Sequence, residues 1–430
     1  MATINIPYGK SHIEAVVSDS RLEGVLESHA HHYKPAAGEE ELVRAALANP
    51  IASPRLRDLT KGCKKIVIIT SDHTRPVPTT IMAPLLLDEI RSGNPEAEIT
   101  FLVATGFHRA STAEELSNKF GERLYKSESI VVHNCWDKDA MKNAGELPSG
   151  GDLVISKMAM EADLLIAEGF IEPHLFAGYS GGRKSVLPGI ASEVTVLANH
   201  CAEFIAHAKA RAGILDGNPI HTDMVYAARE AKLAFILNVV IDANKKIIEA
   251  FAGDMEQAHL AGCKFAGELA AVEAKPAEIV ITTNGGYPLD QNVYQHVKAL
   301  SSAEATCKEG GVIIACAACN DGHGSEDMYK WLRGGAREAM AKIMRIGRDS
   351  TIPDQWATQI MARILLKHKV IFVTDQCDHR IITDMGFDAV STLEEALAAA
   401  EATVGADARI TVIPDGVAVI VTDPKRCSQD

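Results

Sequence analysis

The chain has 430 residues, room for two or three domains of ordinary size, and its 47% hydrophobic and 23% charged residues place it among globular rather than disordered proteins. Lys and Arg number 43 against 57 Asp and Glu, a formal charge of -14 that repels nucleic-acid phosphates and anionic lipid unless cations are concentrated locally. The longest basic runs, Lys61 to Lys65 and Asp423 to Arg426, carry no aromatic residues for stacking on bases, so neither nucleic acid nor membrane is an expected partner.

Residues 1–10 contain no apolar signal core, and nowhere do 18 uncharged apolar residues run together. Nine thinly spread cysteines do not resemble a disulfide framework, so the expected location is a reducing cytoplasm. In chain order, Thr3 to Val17 reads as a β-hairpin around Tyr8-Gly9-Lys10. Predicted strands then fall at 65–70, 98–104, 129–133, 164–167, 235–241, 278–283, 312–316 and 370–374. Helical patterns at 80–91, 112–120, 254–272, 290–307, 356–367 and 393–402 alternate with them, which predicts an α/β fold with mainly parallel sheets. Arg409 to Thr422 reads as a second hairpin around Pro414-Asp415-Gly416, expected to pair with the first. The Pro-containing stretch Glu273 to Ala277 is the best internal boundary. It divides the chain into an N-terminal lobe, 1–272, completed by 409–430, and a C-terminal lobe, 278–408, with the active site in the cleft between them.

Ligands of open α/β sheets bind beyond the carboxyl ends of strands, which makes the polar clusters after apolar runs informative. The first is Ser71-Asp72-His73-Thr74-Arg75-Pro76, where the proline holds Arg75 extended, as suits a guanidinium aimed at a carboxylate or phosphate. An Asp–Arg pair at a helix start is an equal alternative for this segment. Next comes Gly106-Phe107-His108-Arg109, followed by a helix cap at Ser111 to Glu114. The cap does not explain His108, which is placed as an acid or base.

Glu172 to Ser185, with the core Gly178-Tyr179-Ser180-Gly181-Gly182-Arg183-Lys184, is the strongest cluster. Ser180, Gly181 and Gly182 suggest backbone amides curled around an anion, and Lys184 is a candidate for covalent attachment or anion contact. Arg183 stands where a phosphate-binding P-loop requires glycine, and no G-x-G-x-x-G follows any strand, so ATPase and dinucleotide-dehydrogenase readings both fail. His200, near the end of a helical pattern, reads alone as a packed histidine. Beyond Asn284-Gly285-Gly286-Tyr287-Pro288-Leu289-Asp290-Gln291, helical spacing sets Tyr294, Gln295 and Lys298 on one face, either converging on a ligand or simply solvated. The single C-x-x-C pair Cys316/Cys319 and the tract His29, His31 and His32 are discounted as metal sites, and Asn320 to Gly324 is a turn by composition.

Taken together, Asp72 to Pro76, Gly106-Phe107-His108, His174 to Lys184 and Gly286 to Gln291 resemble the lactate racemase family that uses a nickel-pincer nucleotide, and the similarity spans most of the chain. The resemblance implies a racemase or epimerase of 2-hydroxy acids, with lactate as the default substrate. It implies a nickel pyridinium-3,5-bisthiocarboxylic acid mononucleotide joined covalently at Lys184, with His200 as the protein ligand of nickel. It further implies His108 and His174 as general acid and base on opposite sides of the substrate, with Arg75, Gln295 and Lys298 holding it. Trp356 is the candidate for a tryptophan that the family carries near the site.

In that chemistry hydride leaves C2 while a base takes the hydroxyl proton, and the resulting 2-keto acid is reduced on its other face, which is why two histidines are needed. The expected partners are a small 2-hydroxy acid and the proteins that build the cofactor. Two rival readings remain from the residues alone: a cofactor-free isomerase or hydrolase, and a two-lobed carboxylate-binding protein without catalysis.

Overall fold

The computed structural model describes residues 1–422; the basic run 423–426 and Cys427 lie outside the described residues. Two six-stranded sheets carry the fold. In the first, the strand order is Ile247–Gly253, Leu233–Ile241, Leu164–Phe170, Lys65–Ser71, Glu98–Ala104, Ser129–Val132. All neighbours are parallel except the pair at the Ile247–Gly253 edge. The second sheet, wholly parallel, runs Asp388–Val390, Lys369–Val373, Cys307–Cys316, Ala277–Thr282, Ile410–Ile413, Leu22–Val25.

The strands read from apolar runs are present because both faces of these sheets are covered. Leu164–Phe170 is buried at every position and Lys65–Ser71 at all but its ends, as parallel strands between helical layers must be. Helix Thr79–Gly93 buries Met82, Leu86 and Ile90 at helical spacing against the first sheet, and Thr112 starts the next helix through a capping box with Glu115.

The two chain ends depart from expectation. The N-terminal hairpin forms, with Ala2–Tyr8 antiparallel to Ser11–Val17, but it packs Ile6, Ala15 and Val17 on the second sheet. The C-terminal segment is not a hairpin. Ile410–Ile413 is buried on both faces, and so becomes an interior parallel strand of the second sheet between Ala277–Thr282 and Leu22–Val25. Ile420–Thr422 instead pairs in parallel with Ala271–Glu273. The expected completion of the first lobe by 409–430 is thus replaced, for 410–413, by membership in the second sheet.

Candidate active site

The first sheet fixes where a ligand goes. From Lys65–Ser71 the chain builds outward through Glu98–Ala104 to Ser129–Val132, then returns to place Leu164–Phe170 on the other side of the first strand. The reversal opens a crevice beyond the carboxyl ends of Lys65–Ser71 and Leu164–Phe170. Buried Glu168 closes its floor, accepting hydrogen bonds from Thr70 Oγ1 at 2.5 Å and Thr79 Oγ1 at 2.7 Å. Above it lies a cavity of about 440 Å³, lined from both lobes, with a larger cleft of about 970 Å³ beside it. Asp72, Arg75, His108, His174, Lys184 and His200 from the first lobe line the smaller cavity, and Tyr294, Gln295, Lys298 and Trp356 from the second face them. Arg75, His174, Lys184 and Lys298 also line the larger cleft, so the two spaces share an edge that carries the cations Arg75 and Lys298.

His108 sits on a tight turn in which its own N–H donates to Thr105 O at 2.9 Å and Gly106 takes φ +52°, a left-handed conformation favouring glycine. Its Nδ1 lies 2.7 Å from Asp72 Oδ2, while Thr74 Oγ1 donates to the other carboxylate oxygen at 2.7 Å. Burial works to raise the Asp72 pKa, but the His108 hydrogen bond and the charges of His108 and Arg75 win and hold it well below the usual carboxylate range. Asp72 therefore orients His108, leaving Nε2 as the free ring nitrogen. Both oxygens of the predicted cofactor-binding Asp72 are engaged within the protein.

The glycine loop is shaped by a two-residue ladder, Pro173–His174 against Gly178–Tyr179. A Cβ at Gly178 would stand 2.5 Å from Ile214 O, and Gly181, at φ +73°, would bring one within 2.9 Å of Phe170 O. Ser180 Oγ donates to Phe170 O and accepts from Glu172 N, both at 2.9 Å, so its hydroxyl is spent on the loop. Gly182 is the one predicted site residue away from the small cavity, its N–H donating to Asn238 Oδ1 at 2.7 Å. The loop delivers Lys184 Nζ to 3.5 Å from His174 Nε2. Burial first, and then the charges of Arg183 and Arg75, push the Lys184 pKa well below that of an ordinary lysine. Burial first, and then the charge of Lys184, likewise push His174 well below 6.5, which keeps its imidazole neutral.

His200, at the end of helix Glu193–Asn199, donates from Nδ1 to Val196 O at 3.0 Å, which leaves the lone pair on Nε2. Burial, reinforced by Lys184, lowers its pKa to about 3. Such an imidazole is fit to ligate a metal. Among the described residues no group of three or more His, Cys, Asp or Glu could hold an ion alone, so a metal here would need most of its donors from an organic ligand. Lys298 is pushed down to about 8 by burial and by Arg75.

Other features of the sequence take their places in the fold. Cys316 and Cys319 are buried, and burial raises the Cys316 thiol to about 12 and Cys319 well above its ordinary value, which makes both poor thiolate donors. His29–His32 forms a 3₁₀ turn whose cap, Ser28 Oγ, accepts from Ala30 N. Arg183, noted in the sequence only as an obstacle to a P-loop, is 1% exposed and is the organising residue of the glycine loop. It donates to Ala177 O at 2.7 Å, Tyr179 O at 2.8 Å and His221 Nδ1 at 3.0 Å. Asn238, a polar residue inside an apolar strand, was the available signal for the contact that fixes Gly182.

The cleft is that of an enzyme with two imidazoles, a perturbed lysine and a cationic edge brought together by two lobes. The family model for the lactate racemase N-terminal domain matches residues 8–213, and that for the lactate racemase C-terminal domain matches 272–421. Lactate racemase of Thermoanaerobacterium thermosaccharolyticum is 57% identical over 425 residues, 98% of this chain and all of that protein. Lactate racemase of Lactiplantibacillus plantarum is 55% identical over 423 residues, with the same coverage of both chains. Among solved structures, the lactate racemase apoprotein of T. thermosaccharolyticum superposes with a TM-score of 0.95 at 56% identity, covering 98% of this chain and 100% of that one. A Thermotoga maritima protein shares the fold, with a TM-score of 0.69 at 20% identity over 91% of this chain and 100% of that one. The chain belongs to the lactate racemase family and is an isomerase. No helix among the described residues is long and apolar enough to cross a membrane.

Proposed function

We propose that this protein racemises lactate, or a closely related small 2-hydroxy acid, through a 2-keto acid, using a nickel-pincer nucleotide attached at Lys184. The observation that carries the reading is the convergence of two imidazoles, His108 and His174, on one cavity edged by Arg75 and Lys298. The residues present fit the group. Lys184, its pKa lowered by burial, brings a side-chain amine to the cavity for the covalent link, and His200 offers a neutral Nε2 to nickel. When bound, such a nucleotide supplies an electrophilic carbon that takes hydride from substrate C2 and returns it.

The protein does the rest. Arg75 and Lys298 bind the carboxylate, with Gln295 beside them, and so fix the axis about which the substrate turns. His174, kept neutral, is fit to accept the hydroxyl proton at one face, and Nε2 of His108, braced by Asp72, serves the other. Two such groups give reaction in both directions, whereas a single base serves one enantiomer. The lobes, meeting over the cavity, exclude water from the keto acid. Partners of this reading are the 2-hydroxy acid and the proteins that make and deliver the cofactor.

The test is production in a cell that builds the cofactor, followed by peptide mass analysis and by the loss of optical rotation of L- and D-lactate. The expected result is a mass addition on the Lys184 peptide, near one nickel per chain, and racemisation from either enantiomer. Full turnover by metal-free protein with unmodified Lys184 would overturn the reading in favour of plain acid–base isomerisation.

A further inference from the structure

The reaction leaves one substituent of the substrate unassigned. Of the four groups on C2, the carboxylate belongs to the cations, the hydroxyl to the histidines and the hydrogen to the cofactor. The fourth, the carbon side chain, needs an apolar surface.

The structure contains one continuous aromatic wall. Phe107 meets Trp356 edge to face with ring centroids 6.0 Å apart, Trp356 meets His200 at 5.1 Å, His200 meets Phe176 at 5.2 Å and Phe176 meets His174 at 4.6 Å. Phe107 and Trp356 both line the small cavity but come from different lobes, the first from the turn that carries His108 and the second from helix Gln355–Leu365. Both rings have partners behind them. Trp356 is 8% exposed and its Nε1 donates to Tyr294 Oη at 3.2 Å, while Phe107 is backed on its outer side by Trp136 at 5.6 Å. The turn holding Phe107 is itself closed by the His108 N to Thr105 O bond.

We propose that Phe107, closed against Trp356 across the lobes, is the specificity-determining residue that limits the side chain on substrate C2 to about the size of a methyl group. The inference rests on the proposed function for the identity of the substrate. A wall made by two large rings accepts a methyl group by contact, and a longer chain must displace one of the rings. Discrimination by one or two methylenes in such a pocket amounts to roughly 10- to 200-fold.

The experiment uses cofactor-loaded wild type, Phe107→Ala and Phe107→Leu, each checked for folding by thermal unfolding. Two quantities are read for lactate, 2-hydroxybutyrate and 2-hydroxy-4-methylpentanoate: kcat/KM for racemisation, and Kd from calorimetry. Wild type is expected to prefer lactate by at least tenfold on both measures. Phe107→Ala is expected to shift the ratio of the longest acid to lactate upward by about 10- to 100-fold, with Phe107→Leu between the two. A ratio that stays within threefold in both variants, with lactate and the longer acids falling together, would overturn the proposal and make Phe107 a packing residue only. If loaded wild type binds these acids without racemising them, the proposed function fails. The binding ratios then still decide whether Phe107 selects by size.

Discussion

Replacing Arg183 with methionine tests whether a buried guanidinium holds the glycine loop in shape. The side chain is 1% exposed, and burial lowers its pKa only to about 10, so it remains charged at neutral pH. Its acceptors are neutral: the carbonyls of Ala177 and Tyr179 at 2.7 and 2.8 Å, and His221 Nδ1 at 3.0 Å. Methionine fills similar volume but donates nothing, leaving Tyr179 O and His221 Nδ1 without a donor at about 1–3 kcal/mol each, while Ala177 O keeps its bond from Tyr179 N. Part of this is offset because a charge no longer has to be taken out of water, a term of several kcal/mol. The expected net loss is about 2 kcal/mol, or a fall of roughly 4–8 °C in the unfolding midpoint of a lobe this size. Urea unfolding followed by circular dichroism measures it, with lactate racemisation assayed alongside. Because the same carbonyls set the path from His174 to Lys184, activity should fall at least as steeply as stability. A loss below 1 kcal/mol with activity intact would refute the reasoning, since the loop would then hold its shape without the guanidinium.

Asp72→Asn removes the carboxylate that braces His108 and keeps the shape of the side chain. The expected outcome is a drop in kcat of about 100-fold with little change in KM, read from racemisation in both directions; a kcat within threefold of wild type would show that the 2.7 Å contact has no role in turnover. His296→Leu bears on acid stability. Both ring nitrogens of His296 are buried without partners and burial lowers its pKa to about 3, so between there and 6.5 the unfolded chain binds the extra proton and the native state loses stability as pH falls. From pH 7.5 to 5.0 this residue alone should cost about 2 kcal/mol. The variant, compared by urea midpoints at the two pH values, should lose that much less than wild type; equal losses would show that His296 is not held neutral.

What was legible in the sequence divides along physical lines. Strand interiors such as Glu98–Ala104 are readable because a buried parallel strand is a short uninterrupted apolar run, and its carboxyl end announces itself as the first polar cluster after it. That rule alone finds Asp72, Arg75 and His108, which the structure brings to one cavity. Partnership between distant strands is not written locally. Ile410–Ile413 looks like half of a hairpin until Leu22–Val25 and Ala277–Thr282 are seen on either side of it. Roles set by three-dimensional contact were equally hidden. Ser180 and Gly182 look like an anion cradle, yet the Ser180 hydroxyl and the Gly182 N–H hold the loop itself, while Arg183 turns back on carbonyls of its own loop as well as on His221, and Phe107 meets Trp356 from far away in sequence.

The misread termini bear on how the cleft works. Because the N-terminal hairpin and Leu22–Val25 belong with the second sheet, the chain passes between the lobes three times: before Glu39–Ala48, after Gln257–Ala270 and after Ile410–Ile413. The latter two crossings are tied together by the ladder of Ala271–Glu273 with Ile420–Thr422, which borders the larger cleft. Elsewhere the lobes meet at Arg348, whose guanidinium lies over the Phe204 ring, and through helix Gln355–Leu365. There Gln359 Nε2 donates to Ala202 O at 2.9 Å, and Trp356 packs on His200. Any separation of the lobes therefore breaks the contacts over His200 and between Phe107 and Trp356, while the paired crossings hold the other side. Trp356, which joins the lobes there, thus also covers the His200 ring, so one contact serves both the seam and the buried histidine.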